Sequence, residues 1–145
     1  DRIGLNGRLD TIQAAVLLAK LDIYKEEIEL RQNVANQYSE KLKDYVEVPF
    51  IPDNNTSVWA QYSILLKNDL TRSKVVNDLK YKDIPSMIYY QKPLHIQKTF
   101  DDLKYSWGDF PISENISSRI LSLPMHPYLD SLDIDEICKI IISAV

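Results

Sequence analysis

The chain has 145 residues, with 17 Lys and Arg against 21 Asp and Glu, so its formal net charge at pH 7 is −4. This length suits one domain with an ordinary hydrophobic core. No basic run could follow a phosphate backbone, and no apolar segment reaches the length of a membrane span. The first residues do not resemble a secretory signal either. We therefore expect neither a nucleic-acid nor a membrane partner, and a cytoplasmic protein.

The first segment of the chain places polar side chains on a bend that leads into a helix. Gly4 and Gly7 bracket Asn6, Arg8 adds a guanidinium group, and Asp10 is a good N-cap. A donor-rich bend that leads into the start of a helix can hold an anion. The same residues can also satisfy a turn and a surface ion pair, so this pattern alone leaves both interpretations open.

Two helices are predicted after this bend. Gln13 stands where it can complete a capping box, and a break near Asp22 separates the first helix from a second one over residues 25–43. The spacing of apolar residues predicts one buried stripe on the first helix, formed by Leu9, Ile12, Val16, Ala19 and Ile23.

Strand and helix patterns then alternate. Residues 58–66 have the period of a strand, residues 72–81 form a helix capped by Thr71 or Asp69, and residues 86–89 are predicted as a second strand. The expected fold class is therefore α/β, in the form of an α+β domain in which a helix pair precedes a small sheet flanked by helices.

The last third of the chain is predicted to contain two helices joined by irregular segments. Residues 91–108 are irregular with a helical turn at 99–103, and residues 123–128 are extended or turning. Pro111 opens a helix to about residue 121, and Ser131 or Asp133 caps the final helix over residues 134–145. The inward positions of the first of these helices are expected to be Ile112, Ile116, Ile120 and Leu121.

The cysteine and histidine residues indicate no metal site. Cys138 is the single cysteine and lies among isoleucines at helical spacing, which predicts a core thiol rather than a nucleophile. His95 and His126 lack the further ligands that a metal needs, and each is most simply a structural histidine.

A second cluster of polar residues could bind a ligand. Tyr89 and Tyr90 end a predicted strand, and the loop that follows carries Lys92 and His95 on either side of Pro93. Phenols and a proline-stiffened loop at a sheet edge are suited to holding a polar ligand. The alternative is that both tyrosines are half-buried packing residues.

Three motifs in this order resemble the DegT/DnrJ/EryC1/StrS family of pyridoxal-phosphate-dependent nucleotide-sugar aminotransferases. They are Gly4-x-Asn6-x-Arg8-Leu9-Asp10, Tyr89-Tyr90-x-x-Pro93-Leu94-His95 and Leu121-Ser122-Leu123-Pro124-Met125-His126-Pro127. The sequence departs from the family pattern at Asp83, where glycine is usual and a different helix end is expected, and at Gln91, where proline is usual.

The resemblance implies the C-terminal part of a fold-type I aminotransferase. Residues 1–23 would be the motif and helix that link to a large domain absent from this chain, and residues 24–145 would be the small C-terminal domain. The Schiff-base lysine of the family belongs upstream of Asp1, so no residue of this chain is assigned a catalytic role.

The resemblance also implies site residues, a cofactor and partners. Asn6 matches the residue that reaches the phosphate of the partner's pyridoxal phosphate in a homodimer with shared active sites. Arg8 matches a residue on the side of the sugar nucleotide, and Tyr89, Tyr90 and His95 match positions near the substrate.

The reaction implied is transfer of an amino group, usually from glutamate, to a keto carbon of a nucleotide sugar. The sequence around Asn6 and Trp59 is most similar to the branch that aminates C3 of UDP-N-acetyl-3-keto-glucuronic acid. That branch more often has histidine at the position of Tyr89. The alternatives are a 4-keto-6-deoxy sugar as acceptor, and a non-catalytic module that associates through a seam of Leu9, Ile12, Val16 and Ala19.

Overall fold

A computed structural model describes residue 4 and residues 6–145. Seven helices and strands of these residues are α1 (Thr11–Leu21), α2 (Tyr24–Leu42), β1 (Tyr62–Leu65), α3 (Asp69–Tyr81), α4 (Pro111–Arg119), β2 (Ile120–Leu123) and α5 (Ser131–Ala144). Two short 3₁₀ helices, Leu94–Ile96 and Lys98–Leu103, lie before α4. The mixed helix and sheet class predicted from the sequence is confirmed, as is the helical turn near residue 100.

The hydrophobic core lies between β1, β2 and the helices α2, α3 and α5. The two strands pair antiparallel, with Tyr62 opposite Leu123 and Ile64 opposite Leu121. All four of these side chains are buried, so this face of the sheet carries the core. The helices contribute Val34, Ala35, Tyr38, Leu42, Val75, Leu79, Ile134, Ile137, Cys138, Ile141 and Ala144.

The sheet differs from its prediction at both ends. Trp59 takes a φ of 48°, in the left-handed region, so the extended chain predicted from residue 58 begins only at Tyr62. The predicted strand at 86–89 reduces to a single bridge between Met87 and Ser122. The second strand is instead β2, in which the predicted helix over 111–121 gives way to a strand at Ile120.

The helix ends also differ from their predictions. The N-cap of α3 is Asn68, whose Oδ1 accepts from Thr71 N at 2.9 Å, and the N-cap of α5 is Asp130, whose Oδ1 accepts from Leu132 N at 2.7 Å. Both caps precede the residues expected from the sequence, because each helix begins earlier. Asp83 follows α3 with a φ of 55°, so the aspartate adopts the left-handed conformation in which helices commonly end on glycine.

The helix α1 contributes nothing to the core. It contains no buried residue, and the predicted buried stripe is wrong for this chain because Leu9 is 63%, Ile12 80% and Val16 55% exposed. The predicted break is confirmed, since α1 ends at Leu21 and α2 begins at Tyr24. Of the predicted segment 1–23, residues 1–3 and 5 lie outside the described residues, and its separation as a linking unit stays a prediction.

The segment Leu121–Pro127 is held against α2 by hydrogen bonds to its backbone. Arg31 Nη1 donates to the carbonyl oxygens of Trp59 at 3.1 Å and Met125 at 3.2 Å, and Tyr38 Oη donates to that of Pro124 at 3.1 Å. These contacts give the third motif a structural role beside α2. Among the described helices, none has the length and apolar character to cross a bilayer.

Candidate functional site

The N-terminal motif presents its polar groups to solvent. Arg8 is held by Asp10 in a forked ion pair, in which Nε and Nη2 each lie 3.2 Å from a carboxylate oxygen. Asp10 is also the N-cap of α1, and its backbone N–H donates to Gln13 Oε1 at 3.4 Å. The side chain of Arg8 is still 82% exposed, so Asp10 orients the guanidinium without covering it. Asn6 is likewise exposed.

The second polar cluster forms a groove between the segment 89–97 and α4. The groove has a volume of about 560 Å³. Tyr89 and Tyr90 form one side, with rings in an edge-to-face arrangement 5.9 Å apart, and Tyr90 is 72% exposed. Ser113 and Ser117 of α4 lie on the other side. Such a mixture of aromatic, apolar and hydroxyl groups is typical of a small-molecule site.

The structure brings the two predicted substrate tyrosines together but keeps them apart from the N-terminal motif. Neither Asn6 nor Arg8 lines the groove. Within the described residues, the side chain of Arg8 is paired with Asp10 alone. The two clusters are therefore separate surfaces of this chain, and the roles predicted for these residues stay predictions.

His95 lies behind the groove rather than in it. Its side chain is 8% exposed, its ring packs on Phe110 with centroids 4.7 Å apart, and its Nε2 lies 3.1 Å from Glu114 Oε1. Neither His95 nor Glu114 lines the groove, although Leu94 and Ser113 beside them do. This geometry supports the structural interpretation of His95, and its predicted contact with substrate stays a prediction.

Glu114 organises the loop that faces His95. Its carboxylate accepts hydrogen bonds from the backbone N–H of Gly108 at 2.9 Å and of Phe110 at 3.2 Å, in addition to its contact with His95. Partial burial alone would raise the pKa of Glu114, but the hydrogen bonds from Gly108, Phe110 and His95 outweigh it and hold that pKa below 4.5. The sequence analysis missed Glu114; its signal was an acidic residue in the first turn after Pro111.

Glu114→Gln should therefore change the pH dependence of stability. The folded-state pKa of this carboxyl is below its ordinary value of 4.5. The stabilisation is therefore present above pH 4.5 and is lost as pH falls through the lower folded value. We expect the difference in free energy of unfolding between wild type and E114Q to shrink as the pH falls below 4.5. Urea unfolding between about pH 3 and pH 7 measures this difference. A matched substitution at the exposed Glu29 should show no such trend, and parallel pH profiles of E114Q and wild type would contradict the assignment.

Cys138 is a buried residue of the core, as the sequence predicts. Cys138 is 2% exposed in α5, and burial raises the pKa of its thiol to about 11, which confirms a core thiol. In the described part of the chain, no group of three His, Cys, Asp or Glu side chains is placed to hold a metal ion.

Comparison with known proteins gives the class to which this chain belongs. Residues 1–142 match the model of the DegT/DnrJ/EryC1/StrS aminotransferase family. A UDP-2-acetamido-2-deoxy-3-oxo-D-glucuronate aminotransferase of Pseudomonas aeruginosa is 44% identical over 138 residues, which are 94% of this chain and 37% of that protein. A dTDP-3-amino-3,6-dideoxy-alpha-D-galactopyranose transaminase of Aneurinibacillus thermoaerophilus is 30% identical over 137 residues, which are 94% of this chain and 36% of that protein.

Comparison with solved structures gives the same family as comparison of sequences. A crystal structure of a DegT/DnrJ/EryC1/StrS aminotransferase from Brucella abortus superimposes with a TM-score of 0.82 at 52% identity, over 96% of this chain and 36% of that one. Fold and sequence thus define the class as the aminotransferases, and this chain corresponds to a part of their fold. The chain belongs to the DegT/DnrJ/EryC1/StrS family. It spans little more than a third of the length of the relatives that it matches.

Proposed function

We propose that the whole protein is a pyridoxal-phosphate-dependent aminotransferase that transfers an amino group from glutamate to C3 of a UDP-linked N-acetyl-3-keto-hexuronic acid. Such a product is a precursor for surface polysaccharide. The observation that carries this proposal is the 44% identity, over 94% of this chain, with a relative named for that acceptor. The relative named for a dTDP-linked dideoxy sugar is less similar, at 30% identity, which favours the uronic acid over a deoxy sugar.

The residues of the N-terminal motif fit an anionic cofactor and substrate. Asn6 is exposed, and no hydrogen bond joins its side-chain amide to another described residue, so the amide can donate to a phosphate oxygen. The guanidinium group of Arg8 is already oriented by Asp10, and its paired N–H donors fit the two oxygens of a carboxylate or phosphate. Pyridoxal phosphate, when bound, would supply the aldehyde carbon that carries the amino group between substrates and a ring that withdraws electrons. In this proposal Asn6 holds the phosphate, and Arg8, Tyr89, Tyr90 and His95 belong to the substrate side.

We also propose that the enzyme is a cytoplasmic homodimer with shared active sites. The helix α1 supports this proposal because its apolar side chains are exposed in the single chain, with Leu18 at 68% and Leu21 at 63%. A contiguous apolar surface of this kind is normally covered by other protein. Because Asn6 and Arg8 directly precede α1, an interface on α1 would place both side chains close to the partner subunit.

The test is to purify the full-length protein and supply it with glutamate and the UDP-linked 3-keto uronic acid. We expect a UDP-amino sugar and 2-oxoglutarate, both measured by mass spectrometry, together with the visible absorbance of the bound cofactor. A dimer that binds no cofactor and aminates neither UDP- nor dTDP-linked keto sugars would instead favour the non-catalytic interaction module.

A further inference from the structure

We propose that Lys92 is an anion-binding residue of the groove formed by the segment 89–97 and α4, and that it binds an anionic oxygen group of the sugar nucleotide. This inference rests on the proposed function. It concerns a residue that the sequence motifs leave unassigned, because the motif specifies no residue type at position 92.

The charge of the groove indicates what it binds. Among the described residues that line it, Lys92 alone is charged, and the others are aromatic, apolar, hydroxyl or amide side chains. Within the described part of the chain, no ion pair joins Lys92 to a carboxylate. A concave site with one ammonium group and no acidic side chain favours an anionic ligand over a neutral or cationic one.

The backbone around Lys92 is fixed although its side chain is exposed. Pro93 is buried, and its carbonyl oxygen accepts from Ile96 N at 3.1 Å, which starts the 3₁₀ helix Leu94–Ile96. The side-chain amide of Gln97 lies 3.5 Å from the carbonyl oxygen of Lys92 and closes the turn. An anchored backbone reduces the entropy lost when the side chain binds, so Lys92 is well placed to contribute to affinity.

The remaining walls fit the uncharged parts of a sugar nucleotide. Tyr90 offers an exposed aromatic face and a phenol, and Ser113 on the exposed side of α4 offers a hydroxyl that can bond sugar oxygens. Ile116 and Ile120 form an apolar floor. An anionic oxygen near Lys92 could belong to the diphosphate or to a carboxylate at C6 of the sugar, and both offer the same chemistry to an ammonium group.

The experiment measures binding without an amino donor, so that it does not depend on turnover. Full-length, cofactor-loaded wild type and Lys92→Met are titrated calorimetrically with UDP-glucose and UDP-glucuronic acid, which differ only at C6. We expect K92M to bind UDP-glucuronic acid about tenfold more weakly than wild type does. An equal loss for UDP-glucose assigns Lys92 to the diphosphate, and a loss confined to UDP-glucuronic acid assigns it to the carboxylate. Both outcomes support the proposal.

Two further variants make the test specific. Lys98 is an exposed lysine six residues further along that does not line the groove, so Lys98→Met should bind both ligands as wild type does. Lys92→Arg should retain most of the affinity, since it keeps the charge. Unchanged binding in K92M, or an equal loss in K98M, would overturn the proposal. Absence of amino transfer by the wild type, with the K92M binding loss present, would instead reject the proposed function and leave the anion site.

Discussion

Replacing Ile64 with alanine should lower the free energy of unfolding of the chain by about 3 kcal/mol. Ile64 has no exposed surface, and it lies in β1 opposite Leu121, which is also fully buried. The substitution leaves a cavity between a paired sheet and the helices that pack on it. The surrounding backbone can move little to fill this cavity, so most of its cost remains. Urea unfolding followed by circular dichroism measures the loss.

The matched control is Ile112→Ala. Ile112 is the same residue type, but it lies on α4 with 76% of its surface exposed. Its truncation should change the free energy of unfolding by less than about 0.5 kcal/mol, because little apolar surface is removed from the core and alanine favours the helix. Equal losses for I64A and I112A would show that the core is not centred on the face of the sheet that carries Ile64.

This pair of isoleucines also shows where the sequence analysis failed. Helical spacing from Pro111 predicted that Ile112 faces inward, yet Ser117 is the buried residue of α4. The prediction also continued the helix through residues 120 and 121, where β2 begins. A four-residue segment with three apolar residues is compatible with a helix end or a strand, and the pairing with β1, which is distant in sequence, decides between them.

The helices were predictable where the core that they face lies within this chain. The bounds of α2, Tyr24–Leu42, differ by one residue at each end from the prediction, because its apolar positions face a core contained in this chain. The apolar stripe of α1 was predicted by the same rule, but α1 contains no buried residue. Periodicity predicts that a helix has an apolar face, but it does not predict whether that face is buried within the same chain.

The candidate site also has a part that the sequence could predict and a part that it could not. Tyr89, Tyr90 and Lys92 follow one another along the chain, so sequence alone grouped them, and the structure places them around one groove. The contact between His95 and Glu114 joins residues 19 positions apart, and spacing could not identify it. Asn6 and Arg8 do not line this groove, so the structure does not join the two predicted clusters.

Asn6→Asp should weaken the binding of pyridoxal phosphate to the full-length protein by about 100-fold, if Asn6 donates to the cofactor phosphate as proposed. The substitution keeps the shape of the side chain, but it replaces an amide donor by a carboxylate that can only accept hydrogen bonds and that repels the phosphate. Titration of cofactor-free protein with pyridoxal phosphate, followed by visible absorbance, gives the dissociation constant.

The control for this substitution is Asn54→Asp, which makes the same chemical change in an exposed loop. Asn54 has a φ of 66°, a conformation that aspartate also tolerates, so the loop should keep its shape and the cofactor its affinity. Size-exclusion chromatography of both variants shows whether the dimer persists, which separates a lost phosphate contact from a lost interface. A dimeric N6D protein that binds pyridoxal phosphate as tightly as N54D does would remove Asn6 from the cofactor site, because a carboxylate facing the phosphate could not leave its affinity unchanged.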